Sequence, residues 1–313
     1  MDGIQNWQLD RYASMIPPVE RDSNKYTRGS LLVIGGSQRY TGAPILAAMA
    51  GCRAGAGYVT LAVPECMSSV ARAHLLSVPV IGAKSAVDVF AADALDDILS
   101  QVNRIHAVVV GPGMIACEST ATLLQRILEG IEAPVVVDAD ALNIIASHAR
   151  GLCEKECADA LVALKARGES GLPTILTPHA GELKRIATRM GFSEDLTGLS
   201  EFEARERMAG FVCEETQAVV VAKGPDTIIC SKELSIRSSF GDASLATAGT
   251  GDVLSGITGA LCAQGVEAFE AAALGACVHG LAGKLAGETL GQRSVIAEDV
   301  IEMVAPAIVS LEA

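Results

Sequence analysis

The sequence predicts a layered α/β fold, in which helices cover both faces of a central, mostly parallel β-sheet. Short apolar runs bounded by glycine or proline alternate with helical patterns, which is typical of parallel β–α–β units. Half of the 313 residues are hydrophobic and 31 are glycine, while only 4% are aromatic. This composition suits a buried sheet rich in valine and isoleucine, with small residues where helices cross it.

The apolar runs give the order of the elements. Strands are predicted over residues 30–35, 58–63, 107–110, 134–137, 174–176 and 218–221, followed by a hairpin of 228–230 with 235–237. Helices are predicted over residues 43–54 and, in the last third, over about 250–264, 267–288 and 297–311. The charged segment 191–207 is predicted to be an irregular surface excursion.

The domain organisation follows from length and continuity. No internal repeat or linker-like run interrupts the chain, so we expect a single domain over residues 28–313 after an N-terminal arm, residues 1–27. Ligands of such sheets bind outside the carboxyl ends of the strands, and most polar signals of this sequence fall there.

The charge balance excludes several classes of partner. With a net charge of −13 and no stripe of Lys or Arg, neither nucleic acid nor an anionic membrane surface is expected as a partner. No secretory signal is expected at the N-terminus, and charged residues interrupt the most apolar region, about 246–286, which argues against a membrane span. Nine cysteines without zinc-like spacing indicate a reducing, cytoplasmic location.

Residues 245–256, Leu-Ala-Thr-Ala-Gly-Thr-Gly-Asp-Val-Leu-Ser-Gly, carry the main chemical prediction. Gly249, Thr250 and Gly251 lead into a helix whose first N–H groups have no partner within it, so their backbone can wrap a phosphate. Asp252 then stands beside that phosphate on the first turn, where it is suited to take a proton from a substrate hydroxyl. The structural alternative is that Asp252 caps a buried helix and the glycines serve close packing.

Two further loops contribute candidate residues. Residues 223–227, Lys-Gly-Pro-Asp-Thr, follow a buried strand and suit phosphate binding, although a plain turn with Lys223 in solvent is the alternative. His179 is expected at a helix N-terminus, which disfavours its charged form and leaves it able to donate or accept a hydrogen bond. Glu182, three residues later, is placed to cap the same helix.

Weaker signals follow the neighbouring strands. Asp138 and Asp140 are suited either to Mg²⁺, directly or through water, or to helix capping; we favour capping for Asp140 and leave Asp138 open. Asn143 and the turn of residues 111–113 are suited to ligand contact. The Gly-x-Gly-x-x-Gly pattern of dinucleotide-binding loops is absent, which argues against a dehydrogenase.

Taken together, these motifs resemble the ADP- or ATP-dependent NAD(P)H-hydrate dehydratases, a branch of the ribokinase-like superfamily. The resemblance runs from about Arg28 to Pro306. The motifs that carry it are residues 29–37, 40–43, 53–57, 110–113, 138–143, 177–182, 222–227, 246–252 and 278–283. Their common order is specific, whereas Gly-Thr-Gly-Asp alone indicates only the wider superfamily.

The resemblance implies a three-layer ribokinase-like α/β/α fold and a role in cofactor repair. A nucleotide, either ADP, which we favour, or ATP, would phosphorylate the hydroxyl of hydrated NADH or NADPH with Mg²⁺, and loss of phosphate would restore the double bond. Asp252 would contact the hydrate and act as base, with Gly249, Thr250 and Gly251 holding the phosphate.

The resemblance also assigns the two ligands to different residues and implies a homo-oligomer, a tetramer. Positions matching the adenine-nucleotide site are Lys223, Gly224, Pro225, Asp226, Thr227 and Gly251. Positions matching the hydrate site are Ala43, Gly113, His179 and Asp252. Because only the short arm precedes residue 28, the epimerase domain of many bacterial members is expected to be absent and activity to be confined to the S epimer, unless a separate epimerase acts.

Three positions depart from the family's pattern. Residues 242–244, Asp-Ala-Ser, replace Asn-Pro-Gly ahead of the anion loop, Ile115 replaces a glycine, and Lys284 replaces an acidic residue. Two other functions fit the same loop: a ribokinase-like kinase for a vitamin precursor, and a non-catalytic nucleotide-binding protein.

Overall fold

A ten-stranded sheet forms the middle layer of the computed structural model, which describes residues 4–147 and 154–313. The strands are β1 (Gln5–Asn6), β2 (Ser30–Ile34), β3 (Tyr58–Pro64), β4 (Val80–Ala83), β5 (Ser85–Ala86), β6 (Val89–Phe90), β7 (Ala107–Val110), β8 (Val135–Val137), β9 (Thr174–Leu176), β10 (Val219–Ala222), β11 (Thr227–Cys230) and β12 (Ser235–Ser238). Their order in the sheet is β1-β12-β11-β10-β9-β8-β7-β2-β3-β4, while β5 and β6 form a separate hairpin. Among the described strands of the sheet, β11 alone runs antiparallel to its neighbours.

Twelve α-helices in the described part of the chain form the outer layers. They are α1 (Leu9–Ala13), α2 (Gly42–Arg53), α3 (Ser68–His74), α4 (Ala94–Gln101), α5 (Glu118–Gly130), α6 (Asp140–Ile145), α7 (Glu154–Glu169), α8 (Ala180–Arg189), α9 (Glu201–Thr216), α10 (Thr250–Ala263), α11 (Ala268–Leu290) and α12 (Ala297–Glu312). The 3₁₀ turns Glu65–Met67 and Ala243–Leu245 complete the regular structure.

Alternate side chains of the strands enter two separate cores, because successive residues of a strand face opposite sides of the sheet. In β2, Leu31 and Val33 belong to the core that also contains residues of α2, α10, α11 and α12, whereas Leu32 and Ile34 belong to the core that contains residues of α4 to α9. Both faces of the strand are therefore buried, which explains its continuous apolar sequence. The predicted α/β class with a mostly parallel sheet is confirmed.

Most predicted elements lie within a residue or two of the observed ones, and two regions differ. The predicted excursion 191–207 is wrong in its second half, since α9 begins at Glu201 behind an N-cap in which Ser200 Oγ accepts from the Glu203 N–H. The N-terminal arm supplies β1, which pairs in parallel with β12 at the sheet edge. Neither β1, with two residues, nor β4, with a glycine at its centre, has the apolar pattern of a buried strand.

Helix α10 is held deep in the molecule by small residues. Its residues from Val253 to Ala263 are all buried. A Cβ added at Gly256 would overlap the carbonyl oxygen of Ala47, so the backbones of α10 and α2 are in direct contact there. This packing holds the N-terminus of α10 opposite the carboxyl ends of the strands.

The helices of the described ranges include none long and apolar enough to cross a membrane.

Candidate active site

The candidate site lies where four adjacent strands end, as the sequence predicted for the polar signals of this chain. Gly111 follows β7, Asp138 follows β8, and Lys223 follows β10 directly. His179 comes three residues after β9 and is joined to Lys223 by an isolated parallel bridge. The N-terminus of α10, with Asp252, faces the same edge, since Lys223 Nζ lies against Gly251.

The predicted anion loop leads into α10 through a left-handed residue. Gly249 is the N-cap of α10 with φ of 92°, a conformation that L side chains rarely adopt. Thr250 Oγ1 donates to the carbonyl oxygens of Leu245 and Thr247, at 2.9 and 3.0 Å, and so ties the loop to itself. The free N–H groups of the first turn are left for a ligand, which is the geometry of an anion site.

Lys223 and Asp138 form an ion pair beside this loop. Lys223 Nζ lies 3.0 Å from Asp138 Oδ1, and the two side chains are 21% and 2% exposed. Burial alone would lower the pKa of Lys223, but the carboxylates of Asp138, Glu182 and Asp252 outweigh it and raise that pKa. Lys223 is therefore a fixed cation among three carboxylates, and the alternative of a lysine in solvent is wrong.

Asp252 has the properties of a general base. Burial, followed by the negative charge of Asp138, raises the pKa of Asp252 from 3.8 to about 7, even though Lys223 acts in the opposite direction. A carboxylate with a pKa near neutrality can accept a proton from a hydroxyl group and release it again at physiological pH. The alternative role, that of a helix cap, is not observed, because among the described residues no backbone N–H donates to the Asp252 carboxylate, on which burial and neighbouring charges act.

His179 is the N-cap of α8. Its Nδ1 accepts a hydrogen bond from the Gly181 N–H at 3.0 Å, while Glu182 Oε2 accepts from the His179 N–H at 2.8 Å. Burial and the positive charges of Lys223 and Arg185 lower the pKa of His179. In the neutral ring the proton is then on Nε2, which lies 3.4 Å from Glu182 Oε1, while the side chain as a whole is 56% exposed and accessible to a substrate.

Glu182 is buried beneath His179 and completes the predicted cap. Burial is the main reason that the pKa of Glu182 rises to about 7. The capping role predicted for Glu182 is therefore observed, and its carboxyl group adds to the negative charge around Lys223.

A cavity of about 520 Å³ adjoins the anion loop and is suited to a nucleotide. Its lining includes Lys223, Gly224, Pro225, Thr227, Asp242, Leu245, Thr250, Gly251, Leu254, Ala276, His279 and Gly280. The structure thus brings four of the five residues predicted in the 223–227 loop to one cavity, together with the anion loop. Asp242, the departure noted ahead of that loop, accepts hydrogen bonds from the Ser244 N–H and from Gln292 Nε2, both at 2.9 Å, and so braces the loop.

Asp226 is the predicted nucleotide-binding residue that does not line the cavity. Its carboxylate instead pairs with Arg237 and accepts a hydrogen bond from Ser239 on the far side of the loop. Behind the same loop, a Cβ added at Gly224 would overlap the guanidinium of the buried Arg205. The side chain of Asp226 therefore anchors the loop, and the glycine is needed for close approach of Arg205.

The predicted hydrate-contacting residues Gly113 and Ala43 lie next to each other. A Cβ at Gly113 would lie 3.3 Å from that of Ala43 and 2.8 Å from the Tyr40 carbonyl oxygen, and its φ is 68°. The exposed Tyr40 forms the outer rim of this part of the site.

Asp140 corrects one prediction. It does not cap α6, which has no side-chain cap hydrogen bond; its Oδ2 accepts from the Ile115 N–H at 3.0 Å and Oδ1 accepts from Asn143 Nδ2 at 3.3 Å. Ile115, which replaces a family glycine, keeps a left-handed φ of 58°, and Ala139 has φ of 50°. Strained backbone of this kind is concentrated at functional sites. Here the turn at Ala139 directs Asp138 to Lys223 and Asp140 to the Ile115 N–H.

Two residues of the site were not assigned a role from the sequence. His279 lines the cavity, is 9% exposed and leaves Nε2 without a hydrogen-bond partner. Arg185 lies beside His179 and donates from Nη2 to Asn143 Oδ1 at 2.9 Å. His279 lies in one of the motifs that carried the resemblance, so the sequence did contain a signal for it. Arg185 is one of several cations on predicted helices, and nothing in its spacing distinguished it from the others.

Magnesium fits this site only as an ion that accompanies a nucleotide. In the two described ranges no three His, Cys, Asp or Glu side chains form a cluster that could hold a metal ion. Mg²⁺ commonly binds substrate phosphates together with one or two carboxylates and several waters. Asp138, whose Oδ1 accepts a hydrogen bond from Lys223, would supply the carboxylate for such an ion.

The fold is that of the ribokinase-like class of α/β proteins. A ribokinase-like superfamily protein from Enterococcus faecalis V583 has the same fold, with a TM-score of 0.78 at 19% identity over 100% of this chain and 98% of that one. The ADP/ATP-dependent NAD(P)H-hydrate dehydratase from Bacillus subtilis, co-crystallised with ATP/Mg²⁺, gives 0.74 at 23% identity over 100% of both chains.

The chain belongs to the NAD(P)H-hydrate dehydratase family, which it matches over residues 31–306. It is 36% identical over 285 residues to the ADP-dependent (S)-NAD(P)H-hydrate dehydratase of Neisseria meningitidis, covering 90% of this chain and 85% of that protein. It is 34% identical over 291 residues to the bifunctional NAD(P)H-hydrate repair enzyme of Salinibacter ruber, covering 92% of this chain. The chain spans about half the length of such bifunctional relatives, 49% for this one.

Proposed function

We propose that this protein dehydrates the S epimer of hydrated NADH and NADPH in a reaction that consumes ADP or ATP. One observation carries the proposal: the partly buried carboxylate of Asp252 stands on the first turn of α10 beside a nucleotide-sized cavity, where its surroundings raise its pKa to about 7. The family match and the name of the Neisseria relative supply the substrate class and the S epimer.

The first chemical step is phosphoryl transfer to the ring hydroxyl. Asp252 takes the hydroxyl proton while the oxygen attacks the terminal phosphorus of the nucleotide, and the bond from that phosphorus to the bridging oxygen breaks. ADP would leave as AMP, and ATP as ADP. The N–H groups of Gly249, Thr250 and Gly251 are placed to stabilise the negative charge of the phosphoryl group in transit.

The second step eliminates the phosphate. The carbon–oxygen bond of the phosphorylated ring breaks, the neighbouring carbon loses a proton, and the double bond of the reduced nicotinamide returns. His179, uncharged and more than half exposed, is suited to orient the hydrated ring. Lys223 is suited to bind the transferred phosphate through its fixed positive charge. Mg²⁺, when bound to the nucleotide, would neutralise charge on its phosphates.

The direct test is recovery of reduced-nicotinamide absorbance. The purified protein is given hydrated NADH or NADPH and Mg²⁺, with ADP and ATP in separate reactions. Restored absorbance with release of phosphate supports the proposal, and the faster nucleotide identifies the co-substrate, for which we expect ADP. Failure to restore absorbance with either nucleotide contradicts it.

A vitamin-precursor kinase remains the second candidate, because the phosphoryl-transfer half of the site does not depend on what carries the hydroxyl. Asp252 and the anion loop would serve a thiazole or pyrimidine alcohol in the same way. A stable phosphorylated vitamin alcohol, formed without any repair of hydrated NADH, would favour this candidate. A non-catalytic role predicts nucleotide binding with neither product.

We further propose a cytoplasmic homo-oligomer, a tetramer. Seven cysteines of the described ranges are free thiols, which suits a reducing compartment: Cys52, Cys66, Cys117, Cys213, Cys230, Cys262 and Cys277. Exposed apolar side chains near the ends of α11 and α12, Leu290, Ile296 and Val309, offer packing faces for a second copy. Light scattering of the purified chain tests the tetramer, and a monomer would contradict it.

A further inference from the structure

Arg185 is a partly buried cation close to His179. From α8 it donates from Nη2 to Asn143 Oδ1 at 2.9 Å, and its buried Nε has no hydrogen-bond partner. Burial of a polar atom without a partner is costly, so such an atom in a functional region indicates a missing ligand. The positive charge of Arg185 also reaches His179 and lowers its pKa.

The guanidinium is oriented by a chain of hydrogen bonds. Asn143, held by Arg185, donates to Asp140 Oδ1, and Asp140 Oδ2 accepts from the Ile115 N–H. This chain links α8, α6 and the turn after β7, three elements that surround the proposed hydrate site. Because Asn143 accepts through a neutral amide oxygen, the positive charge of Arg185 is not neutralised by this partner.

The position of Arg185 matches one part of the proposed substrate. Lys223, paired with Asp138, lies on the β10 side of His179, towards Asp252 and the nucleotide cavity. Arg185 lies on its α8 side. A dinucleotide hydrate whose reacting ring lies between Asp252 and His179 carries a diphosphate beyond the ring. In a chain with a net charge of −13, that diphosphate needs a local cation with a planar fork.

We propose that Arg185 binds the diphosphate of the dinucleotide substrate and so selects dinucleotide hydrates over hydrates of smaller reduced nicotinamides. This inference rests on the proposed function and names the residue that recognises the part of the substrate remote from the reacting ring. Such remote contacts are the means by which an enzyme of this size distinguishes a whole cofactor from its fragments.

The experiment compares two hydrates in the Arg185→Gln variant: hydrated NADH, and the hydrate of reduced nicotinamide riboside, which lacks the diphosphate. For hydrated NADH the KM should rise about 10- to 100-fold, the effect of losing a charge-assisted hydrogen bond. For the riboside hydrate the KM should stay within about twofold of the wild type, since no diphosphate is present to lose a contact. Arg185→Lys, which keeps the charge without the fork, should recover part of the loss.

The matched control is Lys184→Gln, which removes an exposed positive charge from the same helix and should leave both KM values unchanged. ADP affinity, measured by calorimetry, should be unchanged in Arg185→Gln, which also shows that the variant is folded. Equal loss with both hydrates, or loss of ADP affinity, would overturn the inference. A wild-type protein that repairs neither hydrate would refute the proposed function and this inference with it, whereas repair of both with equal KM would refute this inference alone.

Discussion

Lys223 Nζ lies 3.0 Å from Asp138 Oδ1, and this ion pair connects the end of β10 to the end of β8 next to the first turn of α10. A Cβ at Gly251 would lie only 3.2 Å from the same Nζ. The pair therefore fixes the charge environment of Asp252: Asp138 raises the pKa of that carboxyl group, and Lys223 limits the rise.

The first prediction concerns the pH dependence of turnover. Asp252 acts as a base only when deprotonated, and its pKa is raised to about 7. We expect kcat to fall about tenfold per pH unit as the pH drops below 7 and to level off above it. Steady-state repair kinetics across this range check the prediction, and a rate constant that is flat through pH 7 contradicts it.

Asp138→Asn should move this transition to lower pH. The substitution removes a negative charge that raises the pKa of Asp252 and frees Lys223, whose charge lowers it. Both effects act in the same direction, so the midpoint of the acid limb should fall by about one unit. A midpoint that moves to higher pH would show that a group other than Asp252 controls the fall in rate at acid pH.

Asp252→Asn should abolish turnover while increasing stability above neutral pH. Loss of a general base costs about 10²- to 10⁴-fold in rate, and ADP affinity should remain largely intact. The pKa of Asp252 is raised on folding, so its stabilising contribution is complete below pH 3.8 and is lost as the pH rises through 7.

Removing that group should therefore add about 1–3 kcal/mol to the free energy of unfolding at pH 8, with no gain at low pH. Urea unfolding at several pH values measures this difference. Unchanged turnover in the variant would show that Asp252 is not the general base.

Two glycines of the anion loop should respond differently to alanine. At Gly249, with φ of 92°, a Cβ would lie 2.8 Å from Leu46 Cδ1, so Gly249→Ala should lower the free energy of unfolding by about 1–3 kcal/mol. Gly251 has helical backbone, and its Cβ would meet Lys223 Nζ instead.

Gly251→Ala should therefore leave stability within about 1 kcal/mol of the wild type but weaken nucleotide binding, since the methyl group stands where the backbone must approach the phosphate. Thermal unfolding and ADP titration separate the two effects. Equal loss of stability in both variants would argue against the distinction.

His279 should matter more for nucleotide binding than for stability. Burial lowers the pKa of this residue to about 4, so it is uncharged at neutral pH, and its Nε2 has no hydrogen-bond partner. His279→Leu removes a buried unpaired polar atom at similar volume but also the hydrogen bond of the ring to the Thr250 backbone, so stability should stay within about 1 kcal/mol of the wild type.

The same change removes a polar group from the wall of the nucleotide cavity, so the KM for ADP should rise while the KM for the hydrate should not. Thermal unfolding and a KM measurement for each substrate test both halves. A destabilised variant with an unchanged KM would assign His279 to packing alone.

The elements that could be predicted from the sequence are those whose burial is complete. β2 and β7 are buried along their whole lengths, so their apolar runs mark them clearly. α9 was missed at its start because its first turn is exposed and acidic, and β4 has a glycine at its centre. Such elements are stabilised by tertiary contacts that local sequence does not display.

The part of the candidate site that could be predicted from the sequence is the anion loop, because its chemistry depends on the backbone conformation. The loop requires a glycine at Gly249, and the sequence shows a carboxylate, Asp252, in the first turn of the helix that follows. The partners of Asp140 and Asp226 were not predictable, because each carboxylate turns toward a group distant in sequence, Ile115 for Asp140 and Arg237 for Asp226. Side-chain direction of this kind is decided by long-range packing.

The close packing of α10 against α2 affects how well the amide protons of α10 are protected from hydrogen exchange. From Val253 onward α10 is buried, so its amide protons can exchange with deuterium only when the whole protein opens. Its first N–H groups, at Thr250 and Gly251, lie outside the helical bonding pattern and should exchange rapidly until a phosphate accepts them. Helix α10 therefore contains both the most slowly exchanging amides of the molecule and, at its N-terminus, amides whose exchange rate reports whether a phosphate is bound.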